Sequence, residues 1–229
     1  MKNSLFIFAI LALGNSVFAQ GFVNLNFETT TITTVNFPGG NRYTATLPGW
    51  TGFGGNFVNG DPNSVALNDI ALDAPAVTLH GTNSIGYPAI NGKYSILLQS
   101  GSKYSPGSSH IGQTAQIPST ALSLTYWGVS WNNLQITFNG QPLSFLTLSN
   151  SANFTIYATD ISSYAGQTGE LLFTAPAFAY YIDGYGPVGG SGMIDKIQFS
   201  STAVPEPGEL ALVVLGTLVL GFLRWGNYV

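Results

Sequence analysis

The sequence predicts an all-β domain built as a two-sheet sandwich, and three observations predict it. Short runs in which apolar and polar residues alternate recur along the chain, separated by Gly, Pro, Asn and Ser. Between Gln20 and Ala203 no stretch sustains the 3.6-residue apolar period of a helix. Turn formers are abundant, with 28 Gly and 12 Pro in 229 residues, while only 7% of residues are charged. Ordinary soluble domains carry about 25% charged residues.

Taken in order, the first expected strand is Phe22–Phe27, where Val23, Leu25 and Phe27 alternate with Asn24 and Asn26. Residues 38–62 are dense in Gly and Pro and read as a long loop. Apolar or alternating runs then predict strands at Val65–Leu67, Ala76–Leu79, Tyr94–Gln99, Ile111–Ile117, Ala121–Trp131 and Leu134–Phe138. Further strands are expected at Leu143–Leu148, Phe154–Ala158, Glu170–Thr174 and Met193–Phe199, with a loop from Asp183 to Gly192. Asn139-Gly140 marks a hairpin, because both residues tolerate the positive φ of a type I′ turn, and Asn91-Gly92 precedes a strand in the same way. No repeat of about 20–50 residues is visible, which argues against a solenoid or propeller.

Composition excludes several functions. The formal net charge is −4, and six Lys and Arg are too few to neutralise a phosphate backbone, so nucleic-acid binding is excluded. The absence of Cys excludes disulfides, thiolate metal sites and cysteine nucleophiles. An aromatic content of 13% with so little charge excludes a disordered chain.

Both ends stand apart from the sandwich, which is assigned to residues 20–203. Lys2, the apolar run Leu5 to Leu13, and Val17 and Ala19 at the −3 and −1 positions form a secretory signal over residues 1–19. Cleavage between Ala19 and Gln20 is expected; the alternative is a buried first helix. Residues 204–229 carry Val204-Pro205-Glu206-Pro207, an apolar stretch over 210–223 and Arg224. That stretch is about 21 Å long as a helix, short for a bilayer core of about 30 Å, with Trp225 and Tyr228 as interfacial anchors. The two prolines hold the preceding backbone extended and open to a processing enzyme.

Pro205-Glu206-Pro207, a short transmembrane helix and the basic Arg224 resemble the PEP-CTERM sorting signal. The resemblance implies recognition by an exosortase of a Gram-negative bacterium that makes exopolysaccharide. It further implies transient anchoring in the inner membrane, then release to the cell surface or matrix. The family ends in a cluster of arginines, where this chain has one. The alternative is an ordinary C-terminal anchor.

A second resemblance covers the middle. Asn24-Leu25-Asn26-Phe27-Glu28 and Leu47-Pro48-Gly49-Trp50-Thr51 are similar to the opening of galactose-binding-like jelly rolls. The segment Asp160 to Thr168 resembles their turn before a late strand, and Met193 to Ile197 their closing strand. The resemblance implies a jelly roll, a common carbohydrate-binding fold that also serves structural roles. It implies too that Glu28 and Asp195, on the first and last strands, share a structural calcium ion. Asp195 has the strand parity of Met193, Ile197 and Phe199 and so points inward, where a carboxylate needs a partner or a cation.

For catalysis the chain offers little. His80 and His110 belong to no nucleophile elbow or zinc motif, and no carboxylate pair has a spacing that marks a glycosidase. Aromatic rings that could stack on sugars are Tyr43, Trp50, Tyr87, Tyr104, Tyr180, Tyr181 and Tyr185, with Trp50, Tyr181 and Tyr185 the foremost. Trp127 and Trp131 share a strand face and read as core. The expected function is that of an exported, exosortase-processed, non-catalytic protein of the cell surface or exopolysaccharide matrix. The alternative is a module binding the cell's own polysaccharide; a secreted hydrolase comes third.

Overall fold

The computed structural model describes residues 21–37, 40–53, 64–69, 74–102, 105–132, 134–177 and 190–204. The expected signal segment with Ala19 and Gln20, and the sorting segment from Pro205 through Glu206 and Pro207 to Arg224, lie outside them. No helix among the described residues is long and apolar enough to cross a membrane.

Among the described residues, fourteen strands form two sheets. They are β1 (Thr31–Phe37), β2 (Gly40–Thr46), β3 (Thr51–Phe53), β4 (Ser64–Leu67), β5 (Ala76–Gly81), β6 (Tyr94–Gln99) and β7 (Ser109–Gln116). After them come β8 (Ser123–Asn132), β9 (Gln135–Phe138), β10 (Gln141–Pro142), β11 (Leu146–Asn150), β12 (Thr155–Asp160), β13 (Thr168–Ala175) and β14 (Ser191–Ser200). The larger sheet runs β1-β2-β4-β5-β6-β14-β8-β12-β11, and the smaller β10-β9-β13-β7-β3. Among the described strands, β4 and β5 are the one parallel pair of neighbours.

The sheets pack face to face through one apolar layer. Val77, Leu79, Ile96, Leu98, Leu124, Tyr126 and Ile194 of the larger sheet meet Ile111, Ile136, Phe138, Leu171 and Phe173 of the smaller. Tyr126 crosses the interface with its ring edge-on to Phe173 at 5.7 Å. Each such buried side chain stabilises the fold by about 1.5–3 kcal/mol.

The segment from Gly21 to Thr30 is the first correction. It is not the expected strand Phe22–Phe27: Asn24 and Phe27 have φ of 50° and 57°. The Asn24 side chain holds a turn, accepting from the Thr29 N–H at 2.9 Å and donating to its carbonyl at 2.8 Å. The segment instead ties the sheets together. The Val23 N–H donates to Gln113 on β7, while the Leu25 carbonyl accepts from Ile197 on β14.

The expected loop over 38–62 is corrected in part as well, because it contains β2 and β3. β1 was not foreseen either; its Thr-rich residues do not alternate in polarity. The Asn139-Gly140 hairpin forms as expected, with φ of 48° and 74°.

Candidate functional site

Strand pairing decides which side chains face away from the core. Ile194 lies opposite Ile96 and Met193 opposite Leu97. Ile194 and Ile96 belong to the core, so Met193 and Leu97 occupy the outer face of the larger sheet. Trp127 and Val129 of β8 stand beside Asp195 and Met193 on that face, and His80 of β5 lies opposite Ser95 of β6. The connection from β5 to β6, residues 82–93, folds back over this face and buries its polar centre.

Asp195 is 1% exposed. Its parity follows Met193, but that parity directs it under residues 90–95 and not into the core. A bulge at Lys196, with φ of 46°, shifts the phase so that Ile197 returns inward. The carboxylate accepts from the Asn91 N–H at 3.1 Å, Ser95 Oγ at 2.8 Å and the Lys196 N–H at 2.6 Å. Burial, with a further push from the Glu28 charge, raises its pKa to about 7 against those donors.

Glu28 reaches the same turn from the other side. Its Oε1 accepts from the Lys93 N–H at 2.7 Å and the Tyr94 N–H at 3.3 Å. Gly92, with φ of 61°, leaves the space its carboxylate fills; a Cβ there would collide with Glu28. The two carboxylates expected to act together therefore grip one Asn91–Tyr94 turn, each accepting from its main-chain N–H groups. Among the described residues no group of three or more His, Asp or Glu could hold a metal.

His80 is fully buried between Thr78, whose Oγ1 lies 2.9 Å from Nε2, and Ser84, whose Oγ lies 2.7 Å from Nδ1. Burial lowers its pKa, while main-chain bonds with Asp69 and Tyr87 and the Asp69 charge oppose the shift. Ser84 is itself buried, so this hydroxyl–imidazole pair is sealed under residues 82–93. His110 lies on β7 of the other sheet; burial lowers its pKa and the Glu170 charge opposes the shift.

Between the 86–90 backbone and the outer sheet face lies an open cleft of about 310 Å³. Tyr87, Pro88 and Ile90 form one wall, Val129 and Met193 the floor, and Asn153 the far end. A smaller hollow of about 140 Å³ on the other side of Tyr87 is lined by Leu97, Gln99 and Ser191. Beside the cleft, Trp127 stacks on Phe154 at 4.1 Å, and the Lys196 ammonium lies 4.1 Å from the Trp127 ring centre.

Of the aromatic residues expected to meet sugars, Trp50 is in the core. Pro48 and Gly49 make a turn, with φ of 83° at Gly49, closed by the Trp50 N–H on the Leu47 carbonyl at 3.1 Å. The indole then packs on Phe27 at 5.3 Å and Phe173 at 6.5 Å, and its Nε1 donates to the Asn24 carbonyl at 2.9 Å. At 2% exposure it has no ring face to offer a ligand. Tyr43 is exposed on β2, while Trp127 is half-buried on the outer sheet face and outside the expected core. Tyr104, Tyr180, Tyr181, Tyr185 and the Trp131 side chain lie outside the described residues.

No protein-family model matches the chain, and no curated protein matches it. Among solved structures it is similar to the enzymatically active domain of tailspike protein 4 from bacteriophage CBA120, at 14% identity and TM-score 0.33. That match covers 67% of this chain and 19% of the tailspike chain, so this chain spans about a fifth of it. It is also similar to the apo form of a cyclase from Fischerella sp., at 15% identity and TM-score 0.36. There the match covers 79% of this chain and 94% of the cyclase.

Proposed function

We propose that this chain is an exported, exosortase-processed, non-catalytic jelly-roll protein of the cell surface or exopolysaccharide matrix of a Gram-negative bacterium. The observation that carries the reading is the sequence Pro205-Glu206-Pro207, apolar stretch and Arg224. The burial of His80 supports the non-catalytic part: it and its hydroxyl partners are sealed from solvent, and a general base must reach its substrate. Peptide mapping of the exported protein tests the processing. No peptide should extend beyond about Pro207, and recovery of an intact Arg224 peptide from the released form contradicts it.

The outer cleft favours a second reading, binding of the cell's own polysaccharide. Its volume falls at the low end of about 300–1,000 Å³ for small-ligand sites and admits a single sugar unit. Tyr87 supplies a ring for the apolar face of a pyranose, and Asn153, Gln99 and Ser191 supply hydroxyl partners on either side. Tyr87 thereby takes the place that Trp50 held in the sequence expectation.

The donor set also fits calcium, a hard cation that takes oxygen ligands. Glu28 and Asp195 would hold it beside the Asn91–Tyr94 turn. The cation would offset the repulsion between two carboxylates that share one turn. It would serve structure and leave the cleft's chemistry to Tyr87 and its polar neighbours.

A further inference from the structure

A sheet edge is a template for another strand unless charge, proline, a bulge or shortness blunts it. Three of the four edges formed by the described strands are blunted. β11 has a register shift between Thr147 and Ser149, β10 is two residues long and includes Pro142, and β3 has three residues. β1 is different. Its seven residues, Thr-Ile-Thr-Thr-Val-Asn-Phe, contain no charge and no proline, and they pair with β2 residue for residue without a bulge.

From Thr31 to Thr34 both faces of β1 are exposed, so the strand hangs off the sandwich while Thr44 and Ala45 of β2 pack against it. Ile32 is 37% exposed, and Tyr43, opposite Thr34, is 51% exposed. Ile32, Thr34 and Tyr43 share one face of the hairpin, which places an apolar patch at the open edge.

We propose that β1 is a self-association edge, paired antiparallel with β1 of a second copy so that two nine-stranded sheets join into one. The strand suits itself. With no charge along it, homotypic pairing brings no like charges together, and its only cationic neighbour in the hairpin, Arg42, sits one strand inward. Full overlap puts Thr34 on the two-fold axis opposite Thr34 of the second copy. The row Tyr43–Thr34 then continues across the axis into Thr34–Tyr43 of the second copy, and the two apolar patches become contiguous. An isologous pairing of this kind closes as a dimer and consumes the only unprotected edge among the described strands.

The absence of cysteine gives a direct test with the full-length chain. Opposed residues of an antiparallel pair bring Cβ atoms within reach of a disulfide. Under diamide, Thr34→Cys should convert to a covalent dimer, whereas Leu148→Cys on the bulged β11 edge should not. Thr34→Lys should weaken dimerisation in sedimentation equilibrium by at least about tenfold, at an unchanged unfolding midpoint of the chain diluted to monomer. A monomeric Thr34→Cys chain overturns the proposal. So does equal cross-linking of the two thiols, a dimer indifferent to Thr34→Lys, or assembly beyond a dimer.

Discussion

Trp50→Ala destabilises the fold by about 3–5 kcal/mol in equilibrium denaturation. The indole is buried among Phe27 and Phe173, so its removal leaves a cavity between the sheets. It also removes one of the two donors to the Asn24 carbonyl, which keeps the Phe27 N–H, at the turn that ties residues 21–30 to both sheets. Tyr43→Ala, on the exposed face of β2, should change stability by no more than about 0.5 kcal/mol. A Trp50→Ala chain of normal stability would contradict the packing described.

Asp195 carries the second large effect, in the dependence of stability on pH. Its folded-state pKa of about 7 lies above the ordinary carboxylate value, so the native state binds more protons than the unfolded state between about pH 4 and 7. In chelator, stability therefore falls as pH rises through that window, by at most about 1.4 kcal/mol per pH unit, and is level above it. Calcium should flatten this slope, because a bound cation favours the ionised carboxylate. Asp195→Asn should remove the slope and the calcium response together. A chain whose stability climbs from pH 4 to 7 in chelator would contradict the buried, cation-free carboxylate.

The larger part of the sandwich was legible because its strands bury one or both faces. Ala76–Leu79, Tyr94–Gln99, Ile111–Ile117 and Glu170–Thr174 all coincide with strands of the two sheets. β1 escaped notice for the opposite reason: a strand exposed on both faces needs no apolar alternation. Phe22–Phe27 misled, since its alternation is broken by an Asn24 side chain that builds a turn, and no polarity pattern registers that. The juxtaposition of Glu28 and Asp195 was accessible through family resemblance, whereas strand parity aimed Asp195 at the core because a bulge at Lys196 cannot be counted in a sequence. The cleft lay beyond sequence reading altogether, for it exists only where residues 82–93 fold back over the sheet.

The motif around Trp50 shows how one pattern supports two readings. Pro48 and Gly49 form the turn that delivers the indole inward, and Phe27 is the ring that receives it. An aromatic beside Pro and Gly suggested a loop ring for stacking on sugar; the same residues serve the core. Tyr87, flanked by Gly86 and Pro88, looks alike in sequence and differs in where its backbone lies.

Whether this sandwich works by binding is tested most directly by co-sedimentation of the exported protein with the producing cell's own exopolysaccharide, in calcium and then in chelator. Saturable retention that Tyr87→Ala abolishes, and that Tyr43→Ala leaves intact, is the expected result, with weaker retention in chelator. Retention indifferent to Tyr87→Ala would contradict the cleft, and shortening of the polysaccharide by the purified protein would contradict a non-catalytic role.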